Sequence, residues 1–303
     1  MLVLRDVEDP TPDAGEILID VEAAGVNWGD THQAEDSYAA PSKLPFIPGL
    51  EVVGKTGEGR RVVALLPNRG GYAEKALGVE PLCYEIPADL HAGGTLSAVL
   101  QGATAWHLLR TATHMAEGEE VLIHAGAGGV GSLAIQLAKR WGASTVIASA
   151  STEAKRKLCL DLGADAAIDS EENLTQAIVD AAAGPVDVVL EMTGGAVTEQ
   201  CLEALAPLGR LAFYGMASRV APKPVDLFPL LQHGHAVIGF WLVHVFGRPG
   251  LSRKPVQELL ELVESGELRT IDGGTCALSE ARRAHEEMRS RTTVGKLVLD
   301  PRA

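Results

Sequence analysis

The sequence predicts an α/β protein in which a doubly wound parallel sheet is inserted into a smaller antiparallel β domain. Three observations predict it. Up to about Leu100 the chain runs in short β-like segments broken by Gly and Pro. From about Thr104 the rhythm changes to strand, helix, strand, helix. After about His244 two amphipathic helical segments and one apolar strand close the chain, and these are expected to rejoin the first domain. The expected division is therefore residues 1–100 with 244–303 for the β domain, and 101–243 for the inserted sheet.

Each element has a local reason. In the first domain ILIDVEAAGV alternates apolar and polar residues, as a half-buried strand does, and EVVGK, RRVVALL and GGYAEKALG continue the series. In the second, strands are expected at EVLIH, TVIASAS, AAID, DVVLEM, RLAFYG and AVIGFW, with helices between them. One of these helices has Thr152 as its N-cap and Gly163 as its stop. The sixth strand, AVIGFW, is expected at the sheet edge, with no Pro or Lys to blunt it, so a homodimer that extends the sheet is expected.

Composition bounds the function. The chain has 303 residues, 46% hydrophobic and 22% charged, enough for two buried cores. A net charge of -14 argues against nucleic acid and against an anionic membrane surface as partners. The four cysteines are scattered and form no C-x-x-C pair, and no basic leader or membrane-length apolar run is present, so a soluble cytoplasmic protein is expected.

The most informative stretch is EVLIHAGAGGVG, which holds Gly126-x-Gly128-x-x-Gly131 between a strand and a helix. Such a turn lets backbone approach a pyrophosphate and lets helix pack on strand, and Gly129, Val130 and Gly131 would offer N–H groups to the phosphates. The pattern points to a dinucleotide. Enzymes that prefer NAD place an acid at the end of the second strand. Here that end reads Ser149-Ala150-Ser151-Thr152, with Lys155 and Arg156 beyond. Hydroxyls and Lys155 favour a 2′-phosphate, hence NADPH. The plainer alternative is helix caps and a solvated helix face.

The segments GVNWGD, PFIPGLEVVG, GATAWHLL and HAGAGGVGSLAIQLAK together resemble the quinone oxidoreductases, the zeta-crystallin-like branch of the medium-chain dehydrogenase/reductase superfamily. The resemblance covers essentially the whole chain and implies a GroES-like β domain, a Rossmann domain and NADPH as hydride donor. The stretch before the first strand and the one at VVGKTGEGRRVVA are shorter than usual. The zinc-dependent members use a Cys and a Gly-His-Glu motif; here Asn27 stands at the cysteine and Pro48-Gly49-Leu50-Glu51 replaces the motif, which implies metal-free chemistry.

The resemblance also implies site residues. It places Asn27 near the nicotinamide with Asp30 fixing the loop, and Tyr38 as a phenol facing the substrate, against the plainer readings of turn residues and a loop aromatic. Thr104 is implied at the nicotinamide end, or as a helix cap. Thr193 and Gly194 follow the fourth strand, Tyr214 ends the fifth, and Phe240 and Trp241 end the sixth, at the sheet edge where ligands lie. Trp241 fits a core or dimer interface equally well. Of Arg291 and Lys296, one is implied at the 2′-phosphate, with solvent exposure the alternative. The expected reaction is hydride transfer from NADPH to a quinone or similar conjugated carbonyl. The alternatives are reduction of an enoyl thioester or enone, and a non-catalytic NADPH-binding protein.

Overall fold

The computed structural model describes residues 2–37, 43–169 and 173–303. Two compact units divide the chain: Met1–Ala103 with Val243–Ala303, and Thr104–Leu242.

The first unit begins with β1 (Glu16–Val26), α1 (Trp28–Ala34), β2 (Glu51–Thr56), β3 (Arg61–Leu65), β4 (Lys75–Val79) and β5 (Cys83–Glu85). β1 is the hub, pairing antiparallel with β2 and with β4. Its Ile19, Val21 and Val26 are fully buried and pack with Val52, Val62 and Leu66, so alternation along β1 becomes one face of a core. A helical stretch follows in which α and π turns alternate: α2 (Ala92–Leu96), a π segment (Ser97–Gly102), α3 (Ala103–His107) and a second π segment (Leu108–Ala112).

The second unit continues with β6 (Glu120–Ile123), α4 (Gly129–Arg140), β7 (Thr145–Ser149), α5 (Glu153–Asp161), β8 (Ala166–Ile168), α6 (Leu174–Ala182), β9 (Val186–Glu191), α7 (Ala196–Glu203), β10 (Leu205–Phe213), α8 (Leu227–His233) and β11 (Ala236–Gly239). The strand order is β11-β10-β9-β6-β7-β8, and every pairing is parallel. Val121, Leu122, Val188, Val189 and Leu190 are fully buried, which is why these strands read as continuous apolar runs. Order reverses between β6 and β9, so their carboxyl ends flank the switch point where open α/β sheets hold ligands.

The chain then returns to the first unit through α9 (Val243–Phe246), α10 (Pro249–Glu264), β12 (Asp272–Ala277), α11 (Ala281–Arg289) and β13 (Lys296–Asp300). β13 pairs antiparallel with β1 and parallel with β12.

Three local expectations change. β12, DGGTCA, has the low β propensity of its two glycines and gave no sequence signal; pairing with β13 makes it a strand. The strand expected at RLAFYG begins earlier, at Leu205, and breaks register before Arg210, with Leu208 left-handed at φ 67°, so α7 stops at Glu203. The edge strand stops at Gly239, and the Phe240 N–H bonds to Phe213 O at 2.9 Å, just beyond the last β10–β11 pair.

Candidate active site: a backbone turn and a buried polar cluster

In the second unit the glycine turn forms between β6 and α4. Its left-handed residue is Ala125, at φ 52°, rather than the first glycine. Gly126 is required for space: a Cβ there would lie 2.8 Å from both Ala148 Cβ and Cys159 Sγ. Gly131 is required for approach, since its Cβ would sit 2.3 Å from Ala125 O. Gly128 is the N-cap of α4 in extended conformation. The first bond beyond it runs from the Ser132 N–H to Gly128 O at 3.0 Å, which leaves the N–H groups of Gly129, Val130 and Gly131 ahead of the intrahelical ladder. No acidic residue stands in the first turn of this helix, so its positive end is uncompensated. These features fit a bound anion.

The end of β7 differs from expectation at Ser149. This side chain is fully buried, with Oγ 2.8 Å from His124 Nδ1, while His124 Nε2 lies 2.9 Å from Cys201 Sγ. The Ser149 hydroxyl is thus taken up inside the protein and is not an open donor for a ribose or phosphate. Burial also pushes His124 down to about 4 and the Cys201 thiol upward, so the cluster is uncharged. Thr152 caps α5, its Oγ1 accepting the Lys155 N–H at 3.3 Å. Arg156 is engaged by Ala150 O at 3.0 Å and Asp169 at 2.7 Å. Ser151 and Lys155 are half-buried at this strand end.

At the end of β9, sequence reasoning missed Glu191. Its buried carboxylate accepts the N–H groups of Thr193 and Gly194 and the Thr198 hydroxyl, at 2.5, 3.0 and 2.9 Å. It therefore shapes the turn expected to serve the cofactor, although burial raises its pKa. The Tyr214 N–H donates to Glu191 O at 3.0 Å, which brings Tyr214 beside that turn. Phe240 stacks on the fully buried His107 at 6.1 Å between ring centroids. Trp241 is half-buried just beyond it. Thr104 lies within α3 rather than ahead of a helix, and is buried.

In the first unit Asn27 is not a turn residue but the N-cap of α1. Asp30 accepts the Asn27 backbone N–H at 2.9 Å and the Tyr72 hydroxyl at 3.1 Å, and Tyr72 in turn lies 3.1 Å from His285 Nε2. Burial raises Asp30 to about 7 and lowers His285 to about 4. The Asn27 side chain points elsewhere. Its Nδ2 donates to Glu51 Oε1 at 2.8 Å and its Oδ1 accepts from Lys296 Nζ at 3.0 Å. Lys296 also pairs with Glu51, and both side chains are buried. Lys296 is therefore neither exposed nor open to a 2′-phosphate; its ammonium is neutralised inside the first unit. Tyr38 lies outside the described residues. Among the described residues, no group of three His, Cys, Asp or Glu side chains is arranged to hold a metal, and no helix is long and apolar enough to cross a membrane.

Two family models match: "Alcohol dehydrogenase GroES-like domain" over residues 13–88 and "Zinc-binding dehydrogenase" over 129–265. A probable quinone oxidoreductase of Schizosaccharomyces pombe is 32% identical, over 98% of this chain and 92% of its own. A 2-haloacrylate reductase of Burkholderia is 32% identical, over 99% of this chain and 95% of its own. The Escherichia coli quinone oxidoreductase solved with NADPH superposes at a TM-score of 0.88 and 29% identity, covering 99% of this chain and 95% of that one. The GroES-like match falls on the antiparallel sheet and the second match opens at α4, so sequence and topology agree. The chain belongs to the quinone oxidoreductase family of the medium-chain dehydrogenases/reductases.

Proposed function

We propose that the chain is an NADPH-dependent oxidoreductase that reduces quinones or similar conjugated carbonyls without a metal. The observation that carries this is the turn at the head of α4. Three successive N–H groups open a helix of 12 residues with no acid in its first turn, a built receptor for a pyrophosphate. NADPH supplies the hydride when bound. Gly126, Gly128, Gly129, Val130 and Gly131 hold its phosphates, and Ser151 and Lys155 take the 2′-phosphate. Thr104, the Thr193–Gly194 turn, Tyr214, Phe240 and Trp241 serve the nicotinamide half. Asn27 donates a hydrogen bond to the oxygen that gains charge as the carbonyl is reduced, and Tyr38 is a second candidate donor.

Metal-free chemistry rests on the donor set. Asn27 offers a neutral amide oxygen, and the Lys296 ammonium stands 3.0 Å from it. A cation seated there would meet a buried positive charge. The test of function is NADPH oxidation with a quinone panel and an enone panel side by side. Faster turnover of enones favours the second reading, alkene reduction, which the 2-haloacrylate reductase relative supports. NADPH binding without turnover of either panel leaves a non-catalytic binding protein.

The chain is also proposed to form a homodimer. β11 is an edge of the parallel sheet. In the preceding α8, Leu227, Phe228 and Leu231 are exposed at 76%, 63% and 78%, a cluster rather than scattered single residues. Light scattering at micromolar concentration should give a dimer, and Phe228→Asp/Leu231→Glu should give a monomer.

A further inference from the structure

Asn27 occupies an N-cap, where an Asn side chain ordinarily accepts an N–H from the first helical turn. Here the Asp30 N–H goes to the Asn27 backbone oxygen at 3.0 Å, and the side chain is engaged elsewhere. The amide is held instead between two buried charges, Glu51 and Lys296, contributed by strands β2 and β13. Its Nδ2 donates to Glu51 Oε1 at 2.8 Å. Its Oδ1 accepts from Lys296 Nζ at 3.0 Å and, more weakly, from Gln101 Nε2 at 3.4 Å. Lys296 Nζ further reaches Val26 O at 3.4 Å.

This arrangement fixes which end of the amide is which. Rotated by half a turn, the amide would set its N–H groups against an ammonium and its oxygen against a carboxylate, and each charge would exchange its hydrogen bond to Asn27 for a repulsive contact, keeping its ion pair. In a buried site that exchange is costly, because neither charge can turn to water for a replacement. The site is also built tightly. A Cβ on Gly25, the second residue before Asn27, would lie 2.4 Å from Glu51 Oε1 and 2.7 Å from Lys296 Cε.

We propose that Glu51 and Lys296 are positioning residues that lock the Asn27 amide in one orientation, so that Asn27 acts on the substrate only as a hydrogen-bond donor. The amide oxygen is saturated by Lys296 and Gln101. Among the described residues Nδ2 makes a single hydrogen bond, so one N–H remains to donate. The substrate atom it meets must therefore be an acceptor that gains negative charge, such as the oxygen of a quinone or enone. The substrate class rests on the proposed carbonyl reduction; the orientation of the amide does not.

The test uses the paired variant Glu51→Gln/Lys296→Met, which removes both charges at similar volume, together with Asn27→Ala and the triple combination. Folding is checked by thermal melting and cofactor affinity by fluorescence titration. The paired variant should lower kcat for quinone reduction about tenfold or more while leaving the NADPH Kd within about twofold. In the Asn27→Ala background the same pair of changes should cost less than about twofold in kcat, because the residue they act through is gone. An equal loss in both backgrounds, or unchanged kcat in the paired variant, overturns the proposal.

A second measurement needs no turnover. The Asn27 side-chain amide signals in a 15N-labelled sample are assigned by their loss in Asn27→Ala. In the wild type the two protons should be widely separated in shift, and they should converge in the paired variant. Solvent-like amide shifts in the wild type overturn the locked orientation, whether or not the paired variant folds. If the wild type reduces neither quinones nor enones, the proposed activity falls, and the amide signals alone decide the orientation.

Discussion

The two candidate regions are built from different material. At the head of α4 the chemistry is backbone: N–H groups presented by a turn whose glycines make room for it. Around Asn27 it is side chain: an amide between a buried carboxylate and a buried ammonium, with Asp30 and Tyr72 behind it. The backbone region needs the local spacing of its glycines and room beside β7 and α5. The side-chain region needs residues from β2, β13 and the helical stretch after β5 to converge, and it holds charge where water cannot reach. The difference teaches that a backbone receptor is fixed largely by the spacing of its turn, whereas a buried polar cluster depends on distant strands being in register.

The largest effect should come from breaking the charged region on one side. Lys296→Ala leaves Glu51 buried without its ion partner, and urea denaturation should show a loss of about 3–5 kcal/mol. A loss below about 1 kcal/mol would mean that the carboxylate reaches water, and the contrast between the regions would fail.

Acid tests the uncharged cluster of the second unit. Burial holds His124 near 4 rather than its ordinary 6.5, so the folded protein keeps it neutral while the unfolded chain takes up a proton. Stability from this residue is complete above its unfolded pKa and is lost as pH falls from 6.5 towards about 4. The loss should approach about 3 kcal/mol. His124→Gln should show a shallower fall than the wild type over that window in denaturation curves. Parallel curves would show that His124 is charged in the fold.

A smaller effect is expected at the end of β7, where Lys155 is proposed to meet the cofactor. A charge-assisted contact with a 2′-phosphate contributes about 1.5–3 kcal/mol, so the wild type should prefer NADPH to NADH at least about tenfold in kcat/KM. Lys155→Ala should erode most of that preference with kcat at saturating NADPH nearly intact. If the preference survives, Arg156 and Arg291 are the next cations to replace, Lys296 being committed elsewhere.

The smallest effect should be none. Chelator treatment should leave turnover unchanged, because a cation at Asn27 would face the Lys296 ammonium. Loss of activity together with stoichiometric bound zinc by elemental analysis would break the reading of the charged region.

Much of the molecule was legible in its sequence because the relevant physics is short-ranged. Strand alternation around Ile19 and Val21, the apolar runs of β6 and β9, the Thr152 cap and the Gly126–Gly131 spacing all follow from steric and burial rules acting over a few residues. Tertiary structure alone decided the rest. The glycine-rich β12 became a strand because β13 offered it partners. Ser149 turned inward because His124 lay within 2.8 Å. Glu191 became the organiser of its turn by collecting three donors, each too ordinary to read in sequence. Lys296, expected at the surface or at a phosphate, is buried against Glu51 and Asn27, 245 and 269 positions away in the chain. A charge enters the interior only when its counter-charge arrives with it, and which residues meet is set by the register of β13 on β1 and of β1 on β2.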